Sequence, residues 1–118
     1  MQKIYDLINN KATIIVISSS TNSIELSYKN NYNTDNINIL YYMSKADLNI
    51  TVCLLKHKLN KIGAKILLID IGRIKTDMGG KNAVIEVKDN TKNIILFAHN
   101  ERKTKHFFLN FEGNKIEL

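Results

Sequence analysis

The sequence predicts a single α+β domain over residues 1–118: a mostly antiparallel sheet packed on one main helix at about 45–62, with a short N-terminal helix. Three observations lead there. Runs rich in β-branched residues alternate with turn residues along most of the chain. Only the stretch from Lys45 to Ile62 keeps helical spacing over several turns, with Leu48, Val52, Leu55 and Leu59 on one side. A length of 118 residues suits one hydrophobic core and leaves no room for a second.

The elements follow in order. Residues 2–10 offer an apolar side through Ile4, Tyr5, Leu7 and Ile8, the short first helix. Ala12 to Ser18 is β-branched and reads as a strand. Ser19-Ser20-Thr21-Asn22 supplies turn chemistry, and Ser23 to Tyr28 alternates as a returning hairpin partner. The asparagine-rich segment 30–36 is a loop, and Ile37 to Met43 reads as a third strand. Ser44 is placed to cap the main helix, and Gly63 to stop it. Lys65 to Ile71 is a buried strand. Ile74 to Met78, Asn82 to Lys88, Asn93 to Ala98 and Lys105 to Phe111 then read as further strands, with Gly79-Gly80 and residues 99–102 as turns.

Composition narrows the partners. At 44% hydrophobic and 24% charged residues the chain is globular. Seventeen Lys and Arg against eleven Asp and Glu give a net charge of +6, which favours a polyanion, nucleic acid before membrane. Arg73 and Arg102 are the only arginines. Lysine contacts phosphate as a point charge, so a sequence-nonspecific backbone contact is expected. The abundance of Ile, Asn and Lys without proline matches an AT-rich genome, such as that of a Firmicutes host, its phages or a similarly biased virus, so codon bias is an alternative source of part of the lysine excess. One cysteine, Cys53, excludes an intramolecular disulfide and a cysteine-built zinc site. The start has no signal-peptide core and no apolar run reaches membrane-spanning length, so the expectation is a soluble, intracellular (cytoplasmic) protein. A homodimer across an edge strand is compatible with this but not specified.

One constellation suggests a chemistry. Asp77 precedes a Gly79-Gly80 turn, and the apolar stretch after it carries Glu86-Val87-Lys88. In a strand, Glu86 and Lys88 would project to one face. Asp77 arriving from a partner strand would complete a patch of two carboxylates and one ammonium, with Asp70 the alternative first acid. From Leu59 to Lys88 the chain resembles the PD-(D/E)xK nucleases, the small archaeal Holliday junction resolvases among them. It does so in the order of helix, glycine, strand, acid and acid-x-lysine. That resemblance implies a metal-dependent phosphodiesterase in which Asp77 and Glu86 bind Mg²⁺ and Lys88 positions or deprotonates the attacking water, Asp70 being the alternative to Asp77 as first ligand. Thr76 stands where the family has proline, and residues 89–118 read as strands where it has a helix. A second cluster, His99, Glu101, Arg102, Lys105 and His106, has the groups of a metal-independent ribonuclease. The alternative function is a non-enzymatic module or inhibitor, phage- or virus-encoded, that binds nucleic acid or a host protein.

Overall fold

The computed structural model describes residues 6–29 and 38–118. Within them β1 (Thr13–Ser18), α1 (Ile24–Lys29), α2 (Ile39–Lys61), β2 (Lys65–Asp70), α3 (Val87–Ala98) and β3 (Phe108–Asn110) follow in order. β1 pairs with β2 from Thr13↔Lys65 to Ser18↔Asp70, and β2 pairs with β3 from Leu68↔Phe108 to Asp70↔Asn110. Both pairings are parallel, and the strand order is β1-β2-β3. The fold is therefore α/β, and the expected antiparallel sheet is corrected.

The physical reason lies in the connections. Parallel neighbours cannot be joined by a hairpin and need a crossover long enough to hold a helix. Ser23 to Tyr28, expected as a hairpin strand, is mostly α1: the Ser23 hydroxyl accepts the Leu26 N–H at 3.2 Å, a helix-start contact. The described part of the expected third strand is the first turn and a half of α2. That helix begins before Ser44, because the Asn38 side chain accepts the Tyr41 N–H at 3.1 Å and supplies the cap. Ser44 instead donates back to the Tyr41 carbonyl at 2.7 Å. Asn93 to Ala98, expected as a strand, lies inside α3. Part of the short N-terminal helix and the whole asparagine-rich loop at 30–36 fall outside the described residues.

Gly63 ends α2 in the left-handed region, at φ +77°. Its N–H bonds the Asn60 carbonyl at 3.1 Å, and that of Ala64 the Leu59 carbonyl at 3.0 Å. This double closure satisfies two carbonyls of the last turn and aims the chain into β2.

The two faces of the sheet carry separate layers of core. On one, Val52 and Leu59 of α2 pack with Ala64, Ile66, Leu68 and Phe108, flanked by Ile14 and Val16. On the other, Phe97 of α3 packs with Leu67, Ile69 and Leu109, flanked by Ile15. Ile66 to Ile69 are all buried because β2 is covered on both faces. β1 sits at the edge, and its Ile17 remains 37% exposed. Among the described residues no helix is long and apolar enough to cross a membrane.

Candidate active site

The functional geometry collects at the carboxyl ends of β1 and β2, where open parallel sheets place their ligands. An open cleft of about 660 Å³ lies there, lined among others by Ser19, Tyr41, Asp70, Gly72, Arg73 and Thr76. Its size is ordinary for a small-molecule site.

Each wall follows from local structure. At the end of β1, the buried Ser18 hydroxyl donates to Asn49 Oδ1 at 2.6 Å and ties the strand to α2. Ser19 caps a short 3-10 turn: its Oγ accepts the Thr21 N–H at 3.3 Å and lies 2.8 Å from Thr21 Oγ1. Asp70 ends β2. Its Oδ2 accepts the Ser20 N–H at 2.9 Å, and its Oδ1 accepts the Gly72 N–H at 2.7 Å. Gly72 turns at φ +67°, a conformation that favours glycine, and an added Cβ would meet Ile85 Cδ1 at 2.6 Å. Asn90 of α3 donates to the Ile71 carbonyl at 2.5 Å and fixes the same turn from the other side of the sheet.

Tyr41 stands in the first turn of α2, its ring edge-on to Tyr42 at 6.1 Å. Four residues on, Lys45 occupies the neighbouring position on the same helix side, and its Nζ donates to the Ile17 carbonyl at 3.2 Å. One cleft thus holds an aliphatic hydroxyl from a strand end and a phenol from a helix start, with an ammonium one helical turn beyond the phenol. Ser19 and Tyr41 both line the cleft, and O–H groups of this kind can hold and protonate an oxygen that gains negative charge.

The residues expected to form a metal site are arranged differently. Glu86 precedes α3 and pairs with Lys75, both about half exposed. Lys88 lies in the first turn of α3, where residues two apart diverge around the helix, so the shared strand face expected for Glu86 and Lys88 does not form. Asp77 is exposed in the loop between the bridged residues Ile74 and Ile85. Asp70 faces the cleft with both carboxylate oxygens engaged by backbone amides. Among the described residues no three His, Cys, Asp or Glu side chains converge as a metal site would require. Glu86→Ala is therefore expected to change the urea-unfolding free energy by less than about 1 kcal/mol, as for other exposed ion pairs.

The second cluster lies before β3, at the opposite end of the sheet. Arg102 sits over the Phe97 ring at 5.1 Å and donates to the Glu112 carbonyl and to Asn93 Oδ1, a packing role. Cys53 on α2 does not line the cleft; burial pushes its thiol up from the ordinary range, and the Lys56 ammonium offsets part of that.

Sequence reasoning missed Ser19, Tyr41 and Lys45, reading the first as turn chemistry and the second as strand. The available signal was a tyrosine four residues before a lysine, preceded by an apolar strand ending in serines.

A parallel βαβαβ unit with its cleft at the strand ends has the architecture of one half of a doubly wound, Rossmann-like fold. Solved structures agree. A short-chain dehydrogenase/reductase from Burkholderia multivorans with bound NADP superposes with a TM-score of 0.76 at 20% identity, over 99% of this chain and 48% of that one. The NADPH-bound carbonyl reductase from chicken fatty liver gives 0.73 at 28% identity, over 92% and 43%. The carbonyl reductase Sniffer of D. melanogaster gives 0.72 at 27%, over 90% and 41%. The chain thus spans less than half the length of each. No protein-family model matches the sequence, and no curated protein does.

These neighbours overturn the nuclease reading. The resemblance to PD-(D/E)xK enzymes rested on a local order of helix, glycine, strand and acids that a βαβ crossover also produces. With it go the Mg²⁺ cofactor, the nucleic-acid partner, and the alternative of a phage- or virus-encoded module or inhibitor, since the neighbours are reductases and two are described with NADP or NADPH bound.

Proposed function

We propose that this chain is the substrate-side half of an NADP(H)-dependent carbonyl reductase. The observation that carries the reading is the meeting of Ser19 and Tyr41 in one cleft at the carboxyl ends of parallel strands, with Lys45 one turn behind Tyr41. The two neighbours above 25% identity, both carbonyl reductases, support it.

The residues present fit one end of such a cofactor. The cleft has the volume for a nicotinamide and a small carbonyl compound, the Gly72 turn brings bare backbone to its wall, and Arg73 offers a guanidinium to a phosphate. The glycines, at 63, 72, 79, 80 and 113, do not form the G-x-G-x-x-G pattern that cradles a dinucleotide's pyrophosphate. That cradle belongs to a second mononucleotide half, which would pair beside the exposed edge of β1.

A reduced nicotinamide bound in the cleft would supply the hydride that the carbonyl carbon takes up. The chain's own groups act on the carbonyl oxygen. The Ser19 hydroxyl donates a hydrogen bond that orients and polarises it, and the Tyr41 hydroxyl gives up its proton as the oxygen becomes an alcohol. The Lys45 ammonium, held by the Ile17 carbonyl, offsets the negative charge left on the phenol oxygen. Solvent then returns a proton to Tyr41.

The test supplies the purified chain with small aldehydes and ketones and either NADPH or reduced nicotinamide mononucleotide, and measures the alcohol formed. Alcohol is expected with both donors. Their Michaelis constants should lie within about tenfold of each other, because little of the adenosine end meets this chain. No alcohol from either donor at millimolar concentration would overturn the reading.

A further inference from the structure

Asp70 lines the cleft, and its two carboxylate oxygens join its own turn to a distant segment of chain. Ser18 and Asp70 are register partners at the ends of β1 and β2, so the strands deliver the two loops side by side. The Ser20 N–H, fifty residues away in sequence, donates to Oδ2 at 2.9 Å, and the Gly72 N–H donates to Oδ1 at 2.7 Å. The peptide that ends in the Ser20 N–H begins at the Ser19 carbonyl, so the bond fixes the plane from which the Ser19 side chain departs. Within its own turn Ser19 is also held by Thr21 and by the Asn22 N–H, which donates to the Ser19 carbonyl at 3.4 Å.

We propose that Asp70 is a positioning residue for carbonyl reduction: its carboxylate staples the Ser19 turn to the Gly72 turn and so aims the Ser19 hydroxyl into the cleft. The proposal rests on the reading of the cleft as a reductase site. Both partners of Asp70 are donors, and an ionised carboxylate is the side chain that offers only acceptors. Charged acceptors also make the shorter and stronger bonds with backbone amides. Asparagine has the same shape, but it would turn an NH₂ toward one of the two N–H groups. Asp70→Asn should therefore behave like Asp70→Ala and not like a conservative change.

The experiment is a double-mutant cycle in the reduction assay, joined to amide hydrogen exchange. Asp70→Ala and Asp70→Asn are each expected to lower kcat about tenfold or more with KM changed less than about threefold, because the aim of Ser19 matters most as charge develops on the oxygen. In a Ser19→Ala background the same changes should cost less than about twofold, since a residue acting through Ser19 has nothing further to lose. Exchange at the Ser20 and Gly72 amides should accelerate about tenfold in both Asp70 variants while that of β2 interior amides stays put. An equal loss of kcat in both backgrounds would show a general structural role and overturn the proposal, as would unchanged exchange at Ser20 and Gly72. If the wild-type chain forms no alcohol, the reductase reading fails, and the exchange experiment still decides whether Asp70 joins the two turns.

Discussion

Tyr41→Phe is expected to lower kcat for carbonyl reduction by about 10²- to 10⁴-fold, the usual worth of a positioned general acid. The substitution isolates the hydroxyl. Phenylalanine keeps the ring and its edge-on contact with Tyr42, and the Asn38 cap is made to the Tyr41 backbone, which does not change. Tyr41 is 40% exposed, so unfolding free energy should move by less than about 0.5 kcal/mol. KM should change little, because the proton is needed as the oxygen gains charge and not to hold the ground state. Ser19→Ala should cost about 10²- to 10³-fold by the same assay, as for one donor of an oxyanion-type pair. The double variant should fall short of the product of the single losses, since both groups act on one oxygen. Tyr42→Phe is the control: its ring neighbours Tyr41, but it does not line the cleft. Equal kcat for Tyr41→Phe and the wild type would remove Tyr41 from the chemistry.

The positions of the two long strands were legible in the sequence; their direction was not. Ile14 to Ile17 and Ile66 to Ile69 are near-continuous apolar runs, the pattern of parallel strands covered on both faces. Read with the helical spacing between them, they spell βαβ. The reading went astray at short segments whose apolar order fits either period. Ile24, Leu26 and Tyr28 alternate, yet Ile24 and Tyr28 are 77% and 90% exposed on α1, so the alternation marks no buried sheet face. Ile94-Ile95-Leu96-Phe97 looks like a strand core, but only Phe97 is fully buried, and Ile95 is 49% exposed on α3. The site was harder to see because its parts come from segments far apart in sequence. Asp70 drew notice as an acid in an apolar run, but its distant partner, Ser20, is set by strand register. Ser19 and Tyr41 line one cleft only because the crossover returns α2 to the end of β1. Glu86 and Lys88 misled for the opposite reason: their spacing carries meaning only in a strand, and the chain there enters a helix.

Phe108→Ala is the substitution expected to cost most stability, about 3–5 kcal/mol. Phe108 is 2% exposed and joins the cluster of Val52, Leu59, Ile66 and Leu68 between the sheet and α2. β3 has three residues, so its attachment rests heavily on this ring and on a few backbone bonds. Those include Leu68 N–H to the Phe107 carbonyl and Ile116 N–H to the Phe108 carbonyl, each at 2.9 Å. Removing the ring leaves a void against α2, where Lys56 already spans outward to Phe107 and cannot fill it. A domain with about 5–15 kcal/mol in total would lose a large fraction of its margin. Urea unfolding should show the midpoint falling with the slope unchanged, and Phe108→Leu, which keeps most of the volume, should cost less than about 1.5 kcal/mol. A loss below about 1 kcal/mol for the alanine variant would mean that β3 is not part of the cooperative core. The contrast with Tyr41→Phe separates fold from chemistry. Activity of Phe108→Ala should follow the folded fraction and return at low temperature or with added osmolyte, because its cleft residues are intact. The activity lost with the Tyr41 hydroxyl should not return under any condition that merely favours folding.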